Sequence, residues 1–162
     1  MNRTFICLAV GLLFSLAGKS QLVKHDNIKF DFRAEKLSKY KETIKIYGTL
    51  FNLNKDTVYL LTTSCNGIEY CLQYDSTKFL SQAFLLCNAS WPIVAKIPPN
   101  DKLEFTAHFK VLDKSNEIKI GFSLYEVEGS FDPNDPKLSL HSVYELNRKH
   151  KNIIWADVHR FE

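Results

Sequence analysis

The chain has 162 residues with 21 basic and 18 acidic side chains, a formal net charge of +3. So slight an excess argues against a nucleic-acid partner, which calls for a strongly basic face. The length suits one domain with a proper core.

The first element in chain order is a targeting segment. Met1-Asn2-Arg3 is a short positive start, Phe5 to Ala17 is an uncharged apolar run, and the small and polar residues "GKSQ" follow. That layout predicts a secretory signal peptide over residues 1–20. The run is shorter than the roughly 20 residues a bilayer-spanning helix needs. No cysteine stands at its end to take a lipid, because Cys7 lies inside it. Residues 21–162 are then expected as a single secreted or periplasmic domain with no transmembrane segment. Removing Arg3 and Lys19 leaves that domain close to neutral.

Strand patterns dominate the rest. In "IKFDFRA", Ile28, Phe30 and Phe32 alternate with polar residues. "TIKIYGTLFNL" (Thr43–Leu53), "TVYLLTTS" (Thr57–Ser64), "KLEFTAHFKVL" (Lys102–Leu112), "EIKIGFSLYEV" (Glu117–Val127) and "IIWADVHRF" (Ile153–Phe161) continue in the same way. Period-two alternation rich in β-branched and aromatic residues marks half-buried strands. Turn-forming residues separate the runs in "NLNKD", "IPPND", "DKSNE" and "FDPNDP". "LNKDTVY" and "VLDKSNEIKI" are expected as hairpins. "AEKLSKYKE" (34–42) and "STKFLSQAF" (76–84) are each expected to make at most a short helical turn. The fold class expected is all-β: an immunoglobulin-like, two-sheet antiparallel sandwich of about 7–9 strands, with an up-and-down barrel as the alternative.

"GTLFNLNKDTVYLLTTSC", "IPPNDKLEFTAHF" and "IKIGFSLYEV" together resemble exported bacterial proteins with one immunoglobulin-like domain. The likeness covers roughly Thr43 to Val127. It implies the sandwich fold and an envelope setting, and it carries over no catalytic residues.

Three cysteines fall between Ser64 and Asn88. Asn66-Gly67 is a strong two-residue hairpin signal. A turn there puts Tyr59, Leu61, Thr63 and Cys65 on the core side with Ile68, Tyr70, Leu72 and Tyr74. Thr62, Ser64, Glu69, Cys71, Gln73 and Asp75 fall on the wetter side. Cys65 and Cys71 then point to opposite faces and cannot bond each other. An oxidising compartment favours a disulfide. Cys65–Cys87 is the first expectation and Cys71–Cys87 the alternative; the first leaves Cys71 as a solvent-facing free thiol. Zinc-type spacing is absent, as is C-x-x-C. The only methionine is Met1, so thioether copper binding is excluded in the mature chain.

Other patterns carry less. Glu126, Glu128, Asp132 and Asp135 gather in one loop but miss the EF-hand spacing. "NRKHK" (Asn147–Lys151) is a basic run expected to be solvated. Asn88-Ala89-Ser90 fits the N-glycosylation acceptor pattern. Neither G-x-S-x-G, H-E-x-x-H nor a glycine-rich phosphate loop occurs. No catalytic, metal or cofactor residues are therefore assigned, and no enzyme is expected. The function expected is an exported binding module whose partner is an envelope protein or a glycan. The alternative is a carbohydrate-binding accessory module that stacks sugars on exposed aromatics, with Tyr74, Trp91 and Trp155 as the stacking candidates. Tyr40 and Tyr47 are further aromatics of the same kind.

Overall fold

A computed structural model describes residues 26–37, 42–82, 90–114, 116–135, 141, 145 and 152–161. The expected signal peptide, Cys87, Asn88, Tyr40 and the basic run at 147–151 lie outside the described residues.

Among the described residues the antiparallel ladders fall into two layers, the first and the second sheet. The first holds β1 (Ile28–Lys36), β2 (Thr43–Asn52), β7 (Lys102–Val111) and β5 (Phe79–Ser81), in the order β1-β2-β7-β5. Its inner face is the one the alternation marks. Ile28, Phe30 and Phe32 on β1 are buried, as are Ile44, Ile46 and Leu50 on β2 and Ala107 and Phe109 on β7.

The second sheet is organised on one long run, residues 117–127. It comprises β8 (Glu117–Ile118), β9 (Gly121–Ser123) and an isolated bridge at Glu126. One side of this run pairs with β10 (Ile153–Trp155) and β11 (His159–Arg160). The other side pairs first with β4 (Leu72–Gln73) and then, through Glu126 opposite Leu60, with β3 (Val58–Thr63). Leu61 N donates to Tyr125 O and Val127 N donates to Tyr59 O, both at 2.9 Å. The far edge of β3 carries β6 (Pro92–Ile97). The second sheet therefore reads β6, β3/β4, β8/β9, β10/β11.

Strands β1-β2-β7 and β10/β9/β4 reproduce the A-B-E and G-F-C pairings of an immunoglobulin-like sandwich. With β3/β4, β8/β9 and β10/β11 taken as single runs, eight strands make up the sandwich. The departure from that topology is in the middle of the chain. The strand beside β7, which is β5, precedes the strand beside β3, which is β6.

Aromatic rings fill the space between the sheets. Phe30 and Phe105 approach Phe122 at 5.8 and 5.7 Å between ring centroids. Tyr74 meets Phe109 edge-on at 4.7 Å. Burying one such ring contributes about 1.5–3 kcal/mol, so this stack accounts for a large part of the core. Gly48 lies directly opposite Phe105 across the β2–β7 pair. A β-carbon on Gly48 would collide with the Phe105 ring. The glycine is what lets that ring lie flat against the sheet.

Two expected hairpins are corners instead. "LNKDTVY" carries the chain from β2 in the first sheet to β3 in the second, and "VLDKSNEIKI" carries it from β7 to β8. The first corner is held by a side chain. Asn52 is fully buried. Its Nδ2 donates to Asp56 O at 2.8 Å, Ile97 O at 2.9 Å and Pro98 O at 3.1 Å. Its Oδ1 accepts from Asn54 N at 3.0 Å and Asn54 Nδ2 at 2.9 Å. One asparagine thus ties the β2–β3 corner to the β6–β7 turn, where Asn100 has a φ of 56°.

Of the expected short helical turns, the one at 34–42 is corrected where it is described, since Ala34 to Lys36 end β1. At 76–84, Ser76 to Lys78 do form a single turn, closed by Lys78 N and Phe79 N on Asp75 O at 3.1 and 3.0 Å, before strand β5.

Candidate functional site

The Asn66-Gly67 hairpin does not form. β3 pairs with β6 and β4 pairs with β9. From Leu60 to Leu72 the chain advances twelve residues while its partner advances four, from Glu126 to Phe122. The excess is an excursion over Ser64–Cys71 that ends in a 3-10 turn, Glu69–Cys71. Asn66 takes the left-handed φ of 53° that its sequence favours. Gly67 is packed so closely on Thr62 and Thr63 that a β-carbon would strike the Thr63 backbone.

This changes the cysteines. Cys71 lies outside any disulfide, and it is buried at 3% exposure rather than solvent-facing. The 3-10 turn folds it under the excursion, where Sγ lies 3.5 Å from Gly67 O. Burial pushes its pKa up to about 12, offset in part by the Thr62 hydroxyl. Such a thiol is inert, since the thiolate is the reactive form. Cys65 is disulfide-bonded, and its expected partner Cys87 lies outside the described residues.

The face of β3 is corrected as well. Val58 and Leu60 enter the main core, while Leu61 lies on the opposite side in a small second cluster with Val127. Both faces of "VYLL" are apolar, so alternation cannot choose between them.

The three aromatic candidates do not form one platform. Tyr74 is half-buried against Phe109. Trp91 is 69% exposed just before β6, its N–H donating to Ser64 Oγ at 3.0 Å. Trp155 is 49% exposed on β10 and lies across Gly121, where an added β-carbon would meet the indole Cδ2 at 2.9 Å. Lys119 Nζ stands 5.2 Å from its ring. β6 and β10 are opposite edges of the second sheet, three strand spacings or roughly 14 Å apart.

A broad concavity lies elsewhere, on the outer face of the first sheet. It encloses about 700 Å³. The register sets its composition row by row. Asp31, Thr49 and Glu104 lie side by side across β1, β2 and β7; Arg33, Tyr47 and Thr106 form the next row. Lys29, Phe51 and Lys102 form the row on the other side. Short Thr49 and Thr106 among long neighbours make the depression, with Tyr47 and Phe51 rising at either end of it on β2.

The charges here are compensated locally. Lys29 Nζ lies 3.9 Å from Asp31 and Lys102 Nζ 2.7 Å from Glu104. Arg33 stacks on the Tyr47 ring at 4.1 Å, and Lys45 approaches the same ring at 4.6 Å. Tyr47 Oη donates to Glu35 Oε2 at 3.3 Å. One row further, burial and then Lys45 hold the His108 imidazole below its usual pKa. All backbone groups of β2 in this region are engaged by strands on both sides, so only side chains face a ligand.

Of these groove residues, sequence reasoning picked out Tyr47 alone, as one of the aromatic candidates. They occupy the polar phase of the same alternation that marks the core. The signal that finds them is two short threonines set in adjacent rows on neighbouring strands, Thr49 on β2 and Thr106 on β7, visible only once the register is known.

The acidic loop does not converge. Glu126 is buried in the β3 bridge, and Asp132 accepts from Asn134 N at 2.8 Å. No group of three or more metal-ligating side chains occurs among the described residues. No helix among them is long and apolar enough to cross a membrane. No family model matches the chain, and no curated protein matches it.

Proposed function

We propose that the protein is an exported, non-enzymatic β-sandwich that binds an envelope or extracellular component through the outer face of its β1-β2-β7-β5 sheet. One observation carries this reading: a groove of about 700 Å³ built wholly on three paired strands. A site on strands is held more precisely than one on loops. Volumes of this size are typical of ligand sites. The signal-like N-terminus supports export, and the sandwich agrees with the resemblance to exported immunoglobulin-like proteins. In this reading Cys65 pairs with Cys87, a bond that closes a loop of about twenty residues and adds roughly 3 kcal/mol.

The test is capture from the native envelope by the protein lacking residues 1–20, with mass spectrometry of the retained material. Wild type is expected to retain a component that the groove-filling Thr49→Trp variant does not. Equal retention by both would place binding elsewhere. A second reading, sugar stacking on the exposed Trp91 or Trp155, rests on their exposure; it predicts loss of capture in Trp91→Ala or Trp155→Ala with Thr49→Trp unaffected.

A further inference from the structure

We infer that the ligand of the outer-face groove is a neutral, polyhydroxylated chain, a glycan lying across the strands over Thr49 and Thr106. The inference rests on the reading of this face as the binding face.

The groove offers the functional groups that hydroxyls need beside the aromatic surface that a sugar ring's C–H face needs. Thr49 and Thr106 supply hydroxyls that both donate and accept. Asp31 and Glu104 flank Thr49 in register on either side. Each carboxylate offers about four lone-pair sites. Asp31 uses one oxygen for Phe32 N at 2.8 Å and faces Lys29 with the other at 3.9 Å. Glu104 engages Lys102 through Oε1. Both keep lone pairs for a diol. Arg33, held flat on Tyr47, presents N–H donors along the same edge. Phe51 gives one apolar surface at the end of the groove for the C–H face of a ring.

The competing ligand classes fit less well. Two carboxylates in the middle row repel a phosphate or sulfate chain. Each is already paired with a lysine of its own strand, so a cationic ligand would gain little. A lipid tail needs a continuous apolar floor, and here Thr49, Thr106, Asp31 and Glu104 interrupt the aromatic surface of Tyr47 and Phe51. An extended peptide added as a strand needs an open sheet edge. Here β2 is central, and its backbone groups are spent on β1 and β7.

The experiment is a titration of the mature protein, followed by backbone amide chemical shifts, with soluble linear hexasaccharides of β-1,4-glucan, β-1,3-glucan, β-1,4-N-acetylglucosamine and α-mannan. An alternating Thr-Val peptide serves as the control ligand. At least one sugar is expected to bind with a Kd on the order of 1 mM or tighter, moving the amides of Asp31, Arg33, Thr49, Glu104 and Thr106. The isosteric pair Asp31→Asn and Glu104→Gln leaves the fold intact and is expected to weaken binding at least tenfold. Absence of binding by every sugar at millimolar concentration overturns the inference, as does binding whose shifts centre on Trp91 or Trp155, or by the peptide alone. Loss of envelope capture in Thr49→Trp without sugar binding would overturn the glycan assignment and keep the binding face. Unchanged capture would instead bring down the binding-face reading itself.

Discussion

Replacing Asn52 by alanine tests how the two sheets are joined. The side chain is fully buried and makes five hydrogen bonds at one corner. The bond to Ile97 O is buried, while those to Asp56 O and Pro98 O are partly so. Stranding the buried Ile97 carbonyl costs about 1–3 kcal/mol and losing the partly buried bonds to Asp56 O and Pro98 O about 1 kcal/mol each, while the half-buried Asn54 groups can turn to water instead. The loss of packing around the amide adds a further small term. The expected destabilisation is therefore about 3–5 kcal/mol. At roughly 2–4 °C per kcal/mol for a domain near this size, Tm falls by about 10 °C. Urea unfolding followed by tryptophan fluorescence and circular dichroism measures it. Asn52→Asp should be worse, because a carboxylate would face three carbonyl oxygens in a dry corner. A loss under about 1 kcal/mol for Asn52→Ala would refute the latch, and the β2–β3 corner would then be held by backbone alone.

Further outcomes follow from the same structure. The Cys71 thiol should resist alkylation in the folded protein and react at once in denaturant. Because its folded pKa of about 12 stands above the reference value of 9.0, the unfolded state loses its proton first as pH rises. Its contribution is complete below pH 9 and is lost progressively towards pH 12, up to about 4 kcal/mol. Cys71→Ala should flatten that part of the stability–pH curve. Gly48→Ala should cost about 1–3 kcal/mol by forcing the Phe105 ring away from the sheet, and Phe105→Leu in the same chain should recover part of it. On the proposal of export, mass spectrometry of the protein recovered from the medium or envelope should show a Cys65–Cys87 disulfide that disappears on reduction; three free thiols would refute it.

What the sequence made legible was the half-buried strand. Phe30 and Phe32, Ile44 and Ile46, Phe109, and Ile118, Ile120, Phe122 and Leu124 all face the core where their alternation places them. One apolar face and one polar face leave no ambiguity of phase. Where both faces were apolar, as in Val58–Leu61, the phase could not be read. The corners were missed for another reason. "LNKDTVY" has hairpin grammar, but the partners of Asn52 sit near position 97, and no local pattern announces a bond to a carbonyl 45 residues away. The Asn66-Gly67 signal was right about the left-handed residue and wrong about its use. The turn opens an excursion because Leu72 finds Phe122, not Leu61, as its neighbour across the ladder. Cys71 became buried as a consequence. The groove was hidden in the polar phase, where Thr49 and Thr106 look like any solvated strand residues until the register sets them in adjacent rows on neighbouring strands.

The central claim is that binding takes place on the outer face of the β1-β2-β7-β5 sheet. Its most direct test is a backbone amide shift map of residues 21–162 with and without a ligand retained in the capture experiment. The account predicts perturbations concentrated at Asp31, Arg33, Thr49, Glu104 and Thr106. A map centred on Trp91 and Ile93, or on Trp155 and Lys119, would contradict it.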